Sequence, residues 1–169
     1  MANPSKEIIL TRDAFKKYQQ KLDYYKTHHR KEVAERIKQA KEFGEIGENS
    51  EYEDAKSEQA FIEGEIMHLE NILRNAKVLD EKEIPKDRVS LGSTVTLKNL
   101  GTGKNVEYTI VGSLESDPSK GFISNESPVG HSLIGAEKGK KIEVEVPKGK
   151  MEYEVVRIYQ KQHLDTEVI

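Results

Sequence analysis

The chain has 169 residues, 34% of them charged and 35% apolar, with no cysteine and a formal net charge of −3. This length allows one ordinary domain or two small ones, and the lack of cysteine excludes disulfides, thiolate metal sites and thiol catalysis. No apolar run approaches the ~20 residues that cross a bilayer, and Met1–Glu7 has no apolar signal core, so no membrane partner and a cytoplasmic location are expected.

The two signs of charge are unevenly placed. Residues 1–44 hold 11 Lys/Arg against 6 Asp/Glu, residues 45–84 hold 4 against 12, and residues 85–169 hold 12 of each. A basic stretch followed by an acidic one suits two helices paired by opposite charge, and equally suits a surface presented to a partner.

From Thr11 onward, Phe15, Tyr18, Leu22, Tyr25, Val33, Ile37, Ala40 and Phe43 recur every three or four residues, which predicts one long helix. Thr11 is placed as its N-cap and Gly44 as its stop. At 1.5 Å per residue the helix would reach roughly 48 Å, too long for a compact bundle of this size. Tyr52, Ala55, Gln59, Ile62, Ile66, Leu69, Leu73 and Ala76 then alternate steps of three and four, as in a coiled-coil seam, and Ser50 with Glu53 reads as a capping box. Helices joined by so short a connection run antiparallel. After Asp80 the pattern changes. Val95/Leu97, Val106/Tyr108/Ile110, Ile142/Val144/Val146 and Met151/Tyr153/Val155 alternate with polar residues, predicting half-buried antiparallel strands, and residues 127–135 read as a turn and a short helix. The expected fold is α+β. Residues 1–80 form an antiparallel coiled-coil hairpin, 81–88 a linker, 89–159 a small antiparallel β domain with one short helix, and 160–169 a tail without an assigned role.

Between the predicted helices lies Gly44-Glu45-Ile46-Gly47-Glu48-Asn49-Ser50-Glu51-Tyr52, which puts several carboxylates at the hairpin tip. Glu51 suits the positive end of the second helix. Glu45 and Glu48 have a second reading beside a solvated loop: hard oxygen donors able to share a magnesium ion with a phosphate and waters. The run Ala40–Tyr52, continued by residues 55–64, resembles the hairpin tip of the GreA/GreB family. Residues 75–78 resemble that family's exit from the second helix, and residues 125–129 with 133–135 resemble its C-terminal signature; the likeness covers about residues 8–159.

That resemblance implies an FKBP-like second domain and a transcription elongation factor. Such a factor inserts its coiled coil into the secondary channel of RNA polymerase and stimulates the polymerase's own cleavage of backtracked nascent RNA, without being an enzyme itself. It implies no cofactor of the chain's own, only Mg2+ shared with the polymerase active site, which Glu45 and Glu48 would help position with its water beside the RNA 3′ end; Asn49 and Ser50 match the polar neighbours of these acids. Lys21, Lys26, Arg30 and Lys31 are candidates for facing the RNA, or simply solvate the helix. Ser127, Pro128, Val129, His131, Leu133 and Ile134 match the region through which the family docks on polymerase. Two positions depart from the family pattern. Glu45 stands where cleavage-active members usually have Asp, and His131 where Lys or Arg is common. The first departure keeps open an alternative, a Gre-like regulator that occupies the channel without stimulating cleavage.

Overall fold

The computed structural model describes residues 7–44 and 49–161. The described residues before Lys16 and from Ala76 onward form one compact unit, and Lys16–Asn75 forms the other.

The hairpin starts from a strand. β1 (Ile8–Thr11) runs straight into α1 (Arg12–Tyr24), a π turn spans Tyr25–His29, and α2 (Arg30–Glu42) completes the first arm; α3 (Ser50–Asn75) is the second arm and leads directly into β2 (Ala76–Leu79). β1 and β2 pair in parallel, Ile8 opposite Ala76 through Thr11 opposite Leu79. Parallel strands need a long crossover, and here the two helical arms supply it. Ala76, expected on the helical seam, therefore belongs to a strand. β1 and β2 fall in the unit of the second domain, so the division differs from the expected one at residue 80. Residues 81–88 are not a bare linker either, because Ile84 is buried and Arg88 bridges to Glu137.

The π turn has a cause in the spacing. A seam advancing by alternating threes and fours from Tyr25 would reach 29, 32, 36 and 39, whereas the buried positions are Val33, Ile37 and Ala40. One residue too many separates the two halves of the first arm. A π turn, whose hydrogen bonds span five residues, absorbs that extra residue and returns the apolar positions to one face. Val33 and Ile37 then pack with Ala55, Ile62 and Ile66 of α3, flanked by the half-buried Leu22, Tyr25 and Tyr52. Phe43, expected on the seam, is 83% exposed: α2 ends at Glu42, so Phe43 lies beyond its last turn. At the base of α3, Ile72 is buried and Leu73 only half-buried, because the helix ends at Asn75 and the seam takes one last step of three from Leu69.

The second sheet has the order β5-β4-β3-β7-β6, from β3 (Thr94–Asn99), β4 (Asn105–Val111), β5 (Phe122–Ser124), β6 (Lys141–Val146) and β7 (Gly149–Tyr159), with α4 (Pro128–Leu133) between β5 and β6. The fold class is α+β, as the periodicities indicate. β3, β4, β6 and β7 pair antiparallel, while the three-residue β5 joins β4 in parallel, a pairing that alternation does not reveal. Val95, Leu97, Ile110, Ile142, Val144, Tyr153 and Val155 fill the core with Val89, Ile123, Leu133 and Ala136. These are the alternate positions of each strand, so one face of the pleat is apolar.

Candidate functional site

Glu45 and Glu48 lie outside the described residues, but the ends between which they are strung are described. Asn49 joins the arms there. Its side-chain carbonyl accepts from the Tyr52 backbone N–H (3.3 Å), capping α3, and its amide donates to the Ala40 carbonyl (2.6 Å) near the end of α2. The cap is thus Asn49 rather than Ser50, which is the first helical residue. Only an amide fits both jobs, since Asp would present a second acceptor to the Ala40 carbonyl and Ser has the wrong reach. Among the described residues no group of three or more His, Cys, Asp or Glu side chains is placed to hold a metal ion.

Along the arms, charges meet across the seam. Lys26 pairs with Glu70 at 2.5 Å, Arg30 grips Glu63 through two bonds of 2.8 and 2.9 Å, and Arg36 pairs with Glu58. The hydrogen bond from Arg30 holds the Glu63 carboxyl below the usual carboxylate range, and Lys26 does the same to Glu70; Arg30 is raised in turn. The uneven charge of the two arms is therefore used, at least in these three pairs, to join one arm to the other. Of the four basic candidates, Lys26 and Arg30 are engaged in this ladder. Lys21 lies over the Tyr25 ring at 5.9 Å, and Lys31 is exposed beside Thr27, His28 and Glu35.

The C-terminal turn is built from hydrogen bonds. The Ser127 hydroxyl donates to the Ser124 carbonyl (2.6 Å) and accepts from the Gly130 N–H (3.1 Å), capping α4, and Pro128 takes the first helical position, where its missing N–H costs nothing. Gly130 has no room for a side chain, since a Cβ would meet the Ser124 carbonyl oxygen at 2.1 Å. Pro128, His131 and Ile134 are exposed at three-residue steps, and Val129 packs half-buried on the core. Leu133 is 0% exposed and belongs to the core, so a docking partner has no access to it.

Residues 8–78 match the family model described as transcription elongation factor, N-terminal, and residues 84–160 match transcription elongation factor, GreA/GreB, C-term. This chain belongs to the GreA/GreB family. Over 154 residues it is 52% identical to transcription elongation factor GreA of Clostridium botulinum (strain Langeland), covering 91% of this chain and 96% of that protein. It is 53% identical to GreA of Acetivibrio thermocellus, covering 91% and 97%. Among solved structures, GreA factor homolog 1 of Thermus thermophilus matches at 30% identity and a TM-score of 0.43, covering 91% of this chain and 99% of that one.

The two GreA/GreB matches bracket the structural parts: the first runs from β1 through both arms to β2, and the second from Ile84 to the end of β7. Two features escaped the sequence reading. Glu115, buried at 2% exposure, accepts from the Thr11 backbone N–H (3.0 Å) and the Thr11 hydroxyl (2.7 Å), while that hydroxyl accepts from the Ala14 N–H (3.2 Å). Thr11 and Glu115 are 104 residues apart, so no local pattern announces the pair. The second is the role of residues 160 and 161 of the expected tail. Lys161 pairs with Glu107 at 2.8 Å beside the Tyr159 hydroxyl, and these two bonds pull the Glu107 carboxyl down; Gln160 donates to the Glu81 carbonyl at 3.3 Å.

Proposed function

We propose that this elongation factor inserts its hairpin into the secondary channel of RNA polymerase and stimulates the polymerase's own cleavage of backtracked RNA, with Glu45 and Glu48 at the tip as the residues that make cleavage faster. The observation that carries this reading is the construction of the hairpin. α3 alone, 26 residues long, extends about 39 Å. Its seam and its cross-arm ion pairs are satisfied within the hairpin, and Asn49 ties the two arms together next to the acidic connection. Such a rod is held together by its own contacts and suits delivery of what its tip carries. Two carboxylates fall well short of the six oxygens that magnesium takes. They would share the polymerase's ion with polymerase groups, phosphate and water, orienting the attacking water while the polymerase performs the hydrolysis.

Docking is assigned to the second domain, with Pro128, His131 and Ile134 as the contacting side chains and Ser127 holding the turn that presents them. RNA release from a stalled, backtracked elongation complex tests the whole reading. Glu45→Ala and Glu48→Ala are expected to abolish the stimulation while retaining binding, and a variant that cleaves like the parent removes that residue from the role.

A second reading, a channel-binding regulator without cleavage stimulation, rests on Glu45 standing where Asp is usual. One extra methylene changes the reach of the carboxylate without changing its charge. Under the cleavage reading, Glu45→Asp raises the rate at limiting magnesium; under the regulator reading, the parent gives no more RNA release than polymerase alone at any magnesium concentration.

A further inference from the structure

The outward side of α3 differs from the rest of the hairpin. Ser57, Ala60, Phe61, Gly64, Met67 and His68 recur at helical steps opposite the seam and are all exposed. None of them is Asp, Glu, Lys or Arg, although nine of the 26 residues of α3 are. Phe61 is 61% exposed and Met67 69% exposed. Gly64 lies three residues from each, and a Cβ there would meet nothing within 4 Å, so the helix backbone is open to close approach between two large apolar side chains. Ala55, Ile62, Ile66 and Leu69 on the other side of α3 are buried, and Glu58, Glu63 and Glu70 on its flanks are turned to Arg36, Arg30 and Lys26.

We propose that this Phe61–Met67 face seats against an uncharged, apolar part of the RNA polymerase channel wall, an inference that rests on the reading above that the hairpin enters that channel. Charge selects the class of partner. A nucleic-acid backbone is held by Lys and Arg, and this face has neither, whereas an aromatic ring and a methionine are what the cores of protein interfaces favour. Size selects against a second copy of this chain. Two such faces crossed at Gly64 would bring together only two large apolar side chains from each copy, well short of the roughly 1,200 Å² that a stable pair buries. A contact this small adds to binding once another surface already holds the chain at its partner, because the tether raises the effective concentration.

The test uses the full chain with a benzophenone amino acid at position 61, bound to purified RNA polymerase on a backtracked template and irradiated. The expected product joins the factor to a polymerase subunit; a crosslink only to RNA, one only between two copies, or no crosslink overturns the proposal. In parallel, the F61S/M67S double variant is compared with the parent in RNA release, its fold checked by circular dichroism. Its half-saturating concentration is expected to rise about five- to tenfold, and an unchanged value overturns the proposal. If the channel reading itself fails, the parent neither binds nor stimulates; if only this inference fails, the parent is active and the double variant matches it.

Discussion

At Thr11, one hydroxyl makes two bonds at once and the backbone N–H adds a third. Its hydroxyl caps α1 through the Ala14 N–H and donates to Glu115, whose other carboxylate oxygen takes the Thr11 N–H. Thr11→Val therefore removes the cap and deprives a buried carboxylate of a donor, and is expected to cost about 2–3 kcal/mol. Thr11→Ser keeps both hydroxyl bonds and stays within about 1 kcal/mol of the parent. Urea unfolding followed by circular dichroism measures both; equal losses would show that the hydroxyl contributes nothing. Gly112 sits in the same corner, where a Cβ would meet the Ile9 carbonyl oxygen at 2.4 Å. A backbone oxygen cannot swing aside, so Gly112→Ala is expected to destabilise by about 1–3 kcal/mol in the same assay.

Between the helices of the first arm, the π turn accommodates one surplus residue, and deletions test this. Deleting Thr27 brings Tyr25 and Val33 to a heptad spacing and lets one α-helix run through with its seam in phase, so the melting temperature is expected to stay within a few degrees of the parent. Deleting Glu35 instead shifts Ile37 and Ala40 off the face shared with Val33 and is expected to lower the melting temperature by more than about 10 degrees, since several seam residues leave the core together. A large drop for the Thr27 deletion would mean that the turn has another role. The ion-pair ladder belongs to the same scale. Glu63 and Glu70 have carboxyls held low by Arg30 and Lys26, so their contribution is full above the unfolded-state value near 4.3 and is lost as pH falls through the folded-state values. Melts between pH 7 and 3 are expected to show a smaller loss for Glu63→Gln/Glu70→Gln than for the parent below about pH 4.5.

Across the whole molecule, the unit that contains the five-stranded sheet is closed by chain from both sides of the hairpin, because β1 supplies Thr11 to Glu115 and pairs with β2. Residues 85–169 alone lack both strands and leave Glu115 without the Thr11 donors. A chain in which Phe15 is joined to Ala76 by a short Gly-Ser linker, omitting the hairpin, retains them. This joined chain is expected to unfold at higher urea than residues 85–169, and matching midpoints would show that β1 and β2 contribute nothing to that unit. The joined chain also serves as the competitor in a test of the proposed docking on polymerase.

The elements were readable in advance wherever stability depends on neighbours in the chain. Three-four steps marked the arms, alternation marked β3, β4, β6 and β7, and Thr11 announced a helix start, because in each case the residue pattern follows the local period of the backbone. The acidic tip is an expectation from composition and family likeness, and its Glu45 and Glu48 lie outside the described residues. The surplus residue between Tyr25 and Val33 was also written in the spacing, though the long-helix reading passed over it. What the tertiary structure alone decided are the matters set by residues distant in sequence: that β1 and β2 pair, that Glu115 is buried to receive Thr11, that Leu133 is core rather than docking surface, and that Lys26 and Arg30 face acids of the other arm. The sequence carries the periods; which distant groups meet, and which surfaces remain exposed, is set by packing, where burial leaves each polar group the partners within reach.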